Sequence, residues 1–445
     1  MTASTRRTGV LVIGAGAAGL ATVEALRRAG YREPITLLGA EAHLPYDRPP
    51  LSKQILTGAW RAEQTMLRPP RMLHDLDARI VLAATALSLD ADTRTARTTA
   101  GSWQADHIVI ATGAAPRALP GVATPGGVHM LRTLDDALDL REATRRCTRV
   151  AVVGEGVLGA EIAATTAQLS TGCARSGPGQ PLGDRQPAAL ARSADLGRAA
   201  EVAGEPEAGP AVTMIGPLRA PMVTQLGDFV ADRLAELHVR HGVELCLGTG
   251  VQGFTERGGR VTGVTVSTGD VVPADLVVVA IGATPATGWL DSSGLRLDNG
   301  IVCDCACRAA AGIYAVGDVA RWQHPDTGSS VRLENRTNAT EQASVVAAAI
   351  LGGEPVYRPI PYFWTDQLGV KIQVFGTVTP DAEAVVVEGD PADNRFVVRY
   401  ETAGVVTAVL GWNMPKQARL HRQRLVEAAA ARQASAAQTA AGSRP

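Results

Sequence analysis

Residues 9–30 read GVLVIGAGAAGLATVEALRRAG, and residues 149–170 read RVAVVGEGVLGAEIAATTAQLS. Each is a short β-branched run, then G-x-G-x-x-G, then an alanine-rich stretch with helical periodicity. A second apolar run follows each: ITLLGAE up to Glu41, and AVTMIGP up to Pro217. The glycines have separate duties. Gly14 and Gly154 permit a tight turn after the strand, Gly16 and Gly156 let the backbone approach a pyrophosphate, and Gly19 and Gly159 let helix and sheet pack closely. The helix N-terminus then receives the phosphates. One such turn is a weak signal. Two in strand–turn–helix context predict two dinucleotide sites on two α/β units.

The chain has 445 residues, too many for one ordinary domain, and 46% of them are hydrophobic, ample for two or three cores. A net charge of -1 argues against a phosphate-neutralising surface, so no nucleic acid partner is expected. The N-terminal residues show no secretory pattern, and no stretch approaches about 18 consecutive apolar residues, so a soluble, cytoplasmic protein with no membrane partner is expected. The six cysteines, first Cys147 and last Cys307, form no C-x-x-C pair. Cys303, Cys305 and Cys307 are spaced by two, which predicts one face of a strand and small-residue packing, with no metal site.

From about 170 to 210 the chain is rich in Gly, Ala, Pro, Arg and Ser and predicts a flexible insertion. ADHIVIATGAAPRALP (105–120) and VTGVTVSTGDVVPADLVVVAIGATP (261–285) read as the strands that return beneath each nucleotide, and IYAVGDVA (313–320) as a further buried strand. RFVVRYETAGVVTAVLGWN (395–413) reads as a hairpin and KQARLHRQRLVEAAAARQ (416–433) as a terminal helix. YDRPPLSK (46–53) carries tandem prolines and predicts a stiff loop.

These stretches, together with HMLRTLDDAL (129–138), RLENRTNATEQA (332–343) and PYFWTDQ (361–367), run in an order that resembles the FAD-dependent ferredoxin reductases of the putidaredoxin reductase type. That family is related to oxygenase-coupled NAD(P)H ferredoxin reductases and to apoptosis-inducing factor. The resemblance implies an α/β fold with two Rossmann-type dinucleotide-binding domains in a glutathione-reductase-like arrangement, plus a C-terminal α+β domain. An FAD domain would comprise residues 1–115 and 285–330, and an NAD(P)H domain residues 116–284. The C-terminal domain would span 331–430, with a disordered tail at 431–445. The implied reaction moves a hydride from NADH or NADPH to flavin N5, then single electrons to an iron–sulfur ferredoxin serving a monooxygenase or dioxygenase.

The same resemblance assigns residues. Gly14, Gly16, Ala18 and Gly19 would hold the FAD pyrophosphate, Glu41 its ribose, and Ala86 the adenine through its backbone. Arg132 and Arg48 would contact FAD, and Asp318 would bond the ribityl chain. Lys53 would lie beside the isoalloxazine, paired with Glu161, and stabilise negative charge developing on reduction. Glu334, Arg336 and Trp364 would come over the flavin, although Arg336 stands where the family often has a bulky apolar residue. Gly154, Gly156, Leu158, Gly159 and Gly282 would receive NAD(P)H.

A carboxylate that bonds the nicotinamide dinucleotide's ribose normally ends the strand at 211–216, but here the position is Gly216, with Arg219 three residues on. That departure admits NADPH. The exposed-looking run Lys416, Arg419, Arg422 and Arg424 reads as a solvated helix face, or as a patch that steers an acidic ferredoxin. A flavoprotein disulfide reductase needs a redox cysteine close to the flavin, and none precedes Cys147. An NADH oxidase and a redox-responsive binding protein of the apoptosis-inducing-factor type are the remaining alternatives.

Overall fold

The computed structural model describes residues 5–170, 209–326 and 328–442. Strand Arg6–Ile13 is buried over its last six residues, as expected of a strand with parallel neighbours on both sides. It pairs with Ile35–Leu38 on one side and Gly101–Ile110 on the other. Ala78–Val81 extends the first edge and Ile313–Ala315 the second, all parallel. The chain therefore reverses its winding direction at the end of Arg6–Ile13, which opens a crevice above that strand's carboxyl end.

The second unit repeats the plan. Its sheet runs Val243–Leu247, Ala211–Gly216, Arg149–Val153, Leu276–Val279, Val128–His129, again wholly parallel. An antiparallel three-stranded sheet, from Val251 to Pro273, covers one side. The two passages between the units lie side by side, Ala114–Pro116 against Ala283–Pro285. The first sheet is thus built from two separate stretches of chain, joined to the second unit through these two strands. The segment predicted to be an insertion falls almost wholly outside the described residues.

The third unit is a five-stranded antiparallel sheet in the order Tyr362–Gln367, Val370–Gly376, Val405–Trp412, Arg395–Thr402, Glu383–Asp390. The predicted hairpin is the pair Arg395–Thr402 and Val405–Trp412. The sheet packs its apolar face against the second unit, where Trp412, Phe396 and Leu226 share one core.

Four expectations need correction. A third domain was expected from residue 331, yet helix Arg336–Ile350 packs on helix Ala17–Arg28, and Ala339, Val346 and Ala347 belong to the first domain's core. Its small buried residues allow that close approach, so the break between cores lies between Ile350 and Tyr362. The tail after 430 was expected to be disordered, but the terminal helix runs Pro415–Gly442, in keeping with the high helix propensity of its alanines. The prolines at 49 and 50 do not hold a loop. Pro50 begins a short helical turn, Leu51–Ile55, because proline is tolerated where the first turn's N–H groups have no partners anyway. Finally, Cys303 ends a strand and Cys307 sits in a turn at φ 61, so the three sulfurs do not share one strand face.

Candidate functional site

The two glycine turns divide their work unequally between protein and ligand. A Cβ on Gly14 would lie 2.2 Å from the Ala111 carbonyl oxygen, and one on Gly19 only 1.8 Å from that of Gly14. A Cβ on Gly16 would meet nothing within 4 Å. In the second turn the clashes are 2.3 Å for Gly154 and 1.9 Å for Gly159, while Gly156 again faces open space. The fold itself therefore requires the first and third glycines of each turn, and leaves the space before the second for something else. Helix Ala17–Arg28 has no side-chain cap and no acid in its first turn, so its leading N–H groups are free for an anion. These features fit a dinucleotide pyrophosphate.

A cavity of about 930 Å³ opens in front of the first turn, within the range of ligand pockets. Most of the residues expected to hold FAD line it: Gly14, Gly16, Ala18, Glu41, Arg48, Lys53, Ala86, Arg132, Asp318, Glu334, Arg336 and Trp364. Gly156, Leu158, Glu161 and Gly282 reach it from the second unit. Gly19, Gly154 and Gly159 lie behind the turns, and neither Gly216 nor Arg219 is part of its wall.

One carboxylate joins all three units. Glu161, on helix Val157–Ser170 and 6% exposed, takes Lys53 Nζ at 2.5 Å and Ser52 Oγ at 2.6 Å on Oε2. Its Oε1 accepts from Thr365 Oγ1 at 2.8 Å, on the first strand of the third unit. The turn after Pro50 is what aims Ser52 and Lys53 together. Behind Thr365 the donors continue in one direction: Gln367 Nε2 donates to Thr365 Oγ1 at 2.9 Å, which leaves Gln367 Oε1 to accept from His238 Nε2 at 2.9 Å. His238 is wholly buried, and burial pulls its pKa down to about 4, keeping it neutral.

A second cluster fixes the opposite wall. Glu41 accepts from Arg48 at 2.8 Å and from the Tyr46 hydroxyl at 2.5 Å, while that hydroxyl accepts from the Leu134 N–H at 2.9 Å. Arg48 also donates to the Arg132 carbonyl at 2.6 Å. Arg132 stands 3.5 Å from Asp318, whose carboxyl is raised above the usual range by burial, with Arg132 opposing. Arg332 ties Glu334 to this wall, pairing with its carboxylate at 2.6 Å and donating to the Asp318 carbonyl at 3.1 Å. Arg336 departs from the apolar residue expected there, and its charge is satisfied by Asp47 at 2.9 Å.

Trp364 closes the cavity from the third unit. It stacks on Tyr362 with ring centres 5.8 Å apart, and Tyr362 stacks on Phe375 at 4.6 Å. The rings come from alternate positions on one strand face and the directly opposed residue of the next strand.

Among the described residues no cysteine lines the cavity. Burial pushes the Cys147 and Cys303 thiols up to about 12, so both are protonated and poor nucleophiles. Among the described residues no cluster could hold a metal ion, and no helix is long and apolar enough to cross a membrane. Arg219, expected near the incoming nucleotide, is engaged by Asp228 and Asp232, each at 2.5 Å. Ser52, Thr365, Gln367, His238 and Tyr46 were not anticipated. Ser52 and Tyr46 lie inside the stretch that carries Lys53, and Thr365 and Gln367 inside PYFWTDQ, so His238 alone lies in no stretch singled out from the sequence.

Residues 8–343 match the model of the pyridine nucleotide-disulphide oxidoreductases, and residues 362–444 match a reductase C-terminal domain. The chain is 33% identical to rhodocoxin reductase of Rhodococcus erythropolis, covering 87% of this chain and 82% of that one. It is 33% identical to the ferredoxin–NAD(+) reductase subunit of the benzene 1,2-dioxygenase system of Pseudomonas putida, over 94% and 92% of the two chains. Among solved structures, the reductase in the covalent putidaredoxin reductase–putidaredoxin complex superposes with a TM-score of 0.79 at 28% identity, covering 94% and 92%.

Proposed function

The chain belongs to the pyridine nucleotide-disulphide oxidoreductase family, whose members use FAD and NAD(P)H, and we propose that it is an NAD(P)H-dependent ferredoxin reductase of an oxygenase system. The observation that carries this reading is the cavity wall: a fixed Lys53–Glu161 pair where a disulfide reductase needs a thiol. Its relatives named above, reductases of electron-transfer and dioxygenase systems, support it. FAD bound in the cavity would supply the chemistry, accepting a hydride and releasing electrons singly to an iron–sulfur ferredoxin.

The chain's own residues then have separable tasks. Gly14, Gly16 and the uncapped helix end bind the FAD pyrophosphate, while Arg132 and Asp318 orient the chain beyond it. Lys53 places its ammonium at the wall where negative charge develops, and Glu161 holds it in position at 2.5 Å. Trp364 and its stacked partners exclude water from the site. Gly156, Leu158 and Gly282 receive the nicotinamide dinucleotide from the second unit. The exposed Lys416, Arg419, Arg422 and Arg424 offer a basic face to an acidic ferredoxin. We place the protein in the cytoplasm on the same grounds, since that is where NAD(P)H is supplied.

The test is cytochrome c reduction driven by NADH and by NADPH, with and without added iron–sulfur ferredoxins. Ferredoxin-dependent turnover is expected. Rapid oxygen consumption indifferent to every ferredoxin would instead identify an NADH oxidase, and slow flavin reduction with a long-lived charge-transfer band a redox-responsive binding protein.

A further inference from the structure

We infer that Glu155 supplies the ribose-binding carboxylate that the strand end at Gly216 lacks, so that the second nucleotide turn selects NADH over NADPH. This rests on the reading of that turn as the site for the reducing nucleotide. The missing acid at 216 left NADPH admissible. The structure explains why a glycine is there.

A Cβ built on Gly216 would lie 1.8 Å from Glu155 Oε2, 2.3 Å from its carboxyl carbon and 2.9 Å from Oε1. A glutamate at 216 would carry its own carboxyl carbon about 2.5 Å from its Cβ, two carbon–carbon bonds of about 1.5 Å away. The Glu155 carboxylate thus stands at the distance from the strand end at which the usual acid would hold its own. No side chain at 216 can coexist with it. The acid has moved from the strand into the glycine turn, and the strand has given up its side chain to make room.

Glu155 is held for that duty. It is 5% exposed, its Oε1 accepts from the Leu218 N–H at 2.8 Å, and its backbone carbonyl accepts from the Met222 N–H at 2.8 Å. Among the described residues no other hydrogen bond reaches the carboxylate, so Oε2 retains its acceptor capacity for a ribose hydroxyl. The first nucleotide unit supplies a control within the same chain. There the matching positions are Ala15 and Gly39, and a Cβ on Gly39 would lie 2.8 Å from the Ala15 methyl. The close approach of these two positions belongs to the fold. The charge belongs to the second turn alone.

Among the described residues, the basic side chain that follows the strand end is already engaged. Arg219 is the basic residue closest in sequence after Gly216, and both of its ion pairs are with Asp228 and Asp232 on helix Val223–Arg240. A 2′-phosphate would therefore meet Glu155 with its negative charge unpaired, whereas a 2′-hydroxyl would donate to it.

The experiment compares NADH and NADPH on the FAD holoenzyme with ferricyanide as acceptor, so that it needs no ferredoxin and stands apart from the identity of the natural partner. Calorimetric titration of NAD+ and NADP+ onto the oxidised holoenzyme gives a readout independent of turnover. The wild-type chain is expected to favour NADH in kcat/KM on the order of 100-fold, with the difference mainly in KM. Glu155→Gln, which keeps the acceptor for the Leu218 N–H, should narrow that ratio about ten-fold or more by tightening NADP+ binding. The exchange of Glu155→Gly with Gly216→Glu in one chain should restore the NADH preference that Glu155→Gly alone loses. Equal binding of NAD+ and NADP+ by the wild type would overturn the inference. So would a ratio that Glu155→Gln leaves unchanged, or an exchange variant that retains its flavin and circular dichroism yet shows no restored preference.

Discussion

The most exacting perturbation is the pair Lys53→Met and Glu161→Gln, singly and together. The ions are 2.5 Å apart, and their side chains are only 13% and 8% exposed. At an effective dielectric of about 20 the attraction at such a distance is on the order of 6 kcal/mol, and the desolvation of both ions is set against it. Removal of one partner strands the other charge in the wall and should cost about 3–5 kcal/mol. Removal of both strands nothing. The double variant should therefore stand within about 1–2 kcal/mol of the wild type, a coupling energy of at least about 3 kcal/mol. Urea unfolding of the holoenzyme, followed by flavin fluorescence for the transition that releases the flavin, reads all four corners of the cycle. Single-variant costs that simply add, within about 0.5 kcal/mol, would refute the account of this wall. Lys53→Met should also make the bound flavin harder to reduce, by roughly 30 mV for every ~1.4 kcal/mol of lost charge stabilisation in a two-electron step. An unchanged midpoint potential would remove the lysine from the chemistry while leaving it in the structure.

The glycines of the first turn separate ligand from fold: Gly16→Ala should lose FAD while melting at the temperature of the flavin-free wild type, whereas Gly19→Ala should melt below the flavin-free wild type, since its Cβ would lie 1.8 Å from a carbonyl oxygen. Flavin content and circular dichroism melts on both variants check this, and equal flavin loss and equal destabilisation would contradict it. Burial lowers His238 from 6.5 to about 4, so the unfolded chain binds the extra proton between those values. Stability from this group is whole above pH 6.5 and declines by about 3 kcal/mol as pH falls toward 4; urea midpoints across that window should flatten in His238→Asn, and parallel curves would refute it.

The parts of this molecule legible in the sequence are those imposed by backbone geometry. Gly14 and Gly19 announce their turn because no other residue avoids a carbonyl oxygen at about 2 Å, and the two buried strands announce themselves by unbroken apolar runs. Relations among distant segments were not readable. Glu161 was assigned only Lys53, whereas Ser52 and Thr365 complete it from positions 109 and 204 residues away. Nothing local to Thr365 signals that duty. The boundary at 331 failed for a related reason: a change of composition marks a loop, but only packing shows that Ala339 and Val346 return to the first core. At 216 the sequence shows the missing acid but not its neighbour, Glu155, whose carboxylate stands 1.8 Å from where a Cβ would lie. The loss of an acid at a strand end means little until the residue that abuts it is known.

The joint at Glu161 also bears on what the cavity is for. An apolar contact among the three units would hold them at least as well, since exchanging a buried ion pair for well-packed apolar groups is often neutral or stabilising. Stability alone therefore gives no account of a lysine and a glutamate in this position. The geometry does. Ser52 and Lys53 both donate to Oε2, Thr365 takes Oε1, and Gln367 and His238 align their donors behind Thr365 in the same sense. Each donor in that series points toward Glu161 and fixes where its oxygens lie. A carboxylate anchored from behind fixes Lys53 in front, at a wall that Trp364 and Tyr362 also line. The arrangement accepts a desolvation cost in order to hold one positive charge at a fixed point facing the cavity, which is what a site gaining electrons requires and a purely structural joint does not.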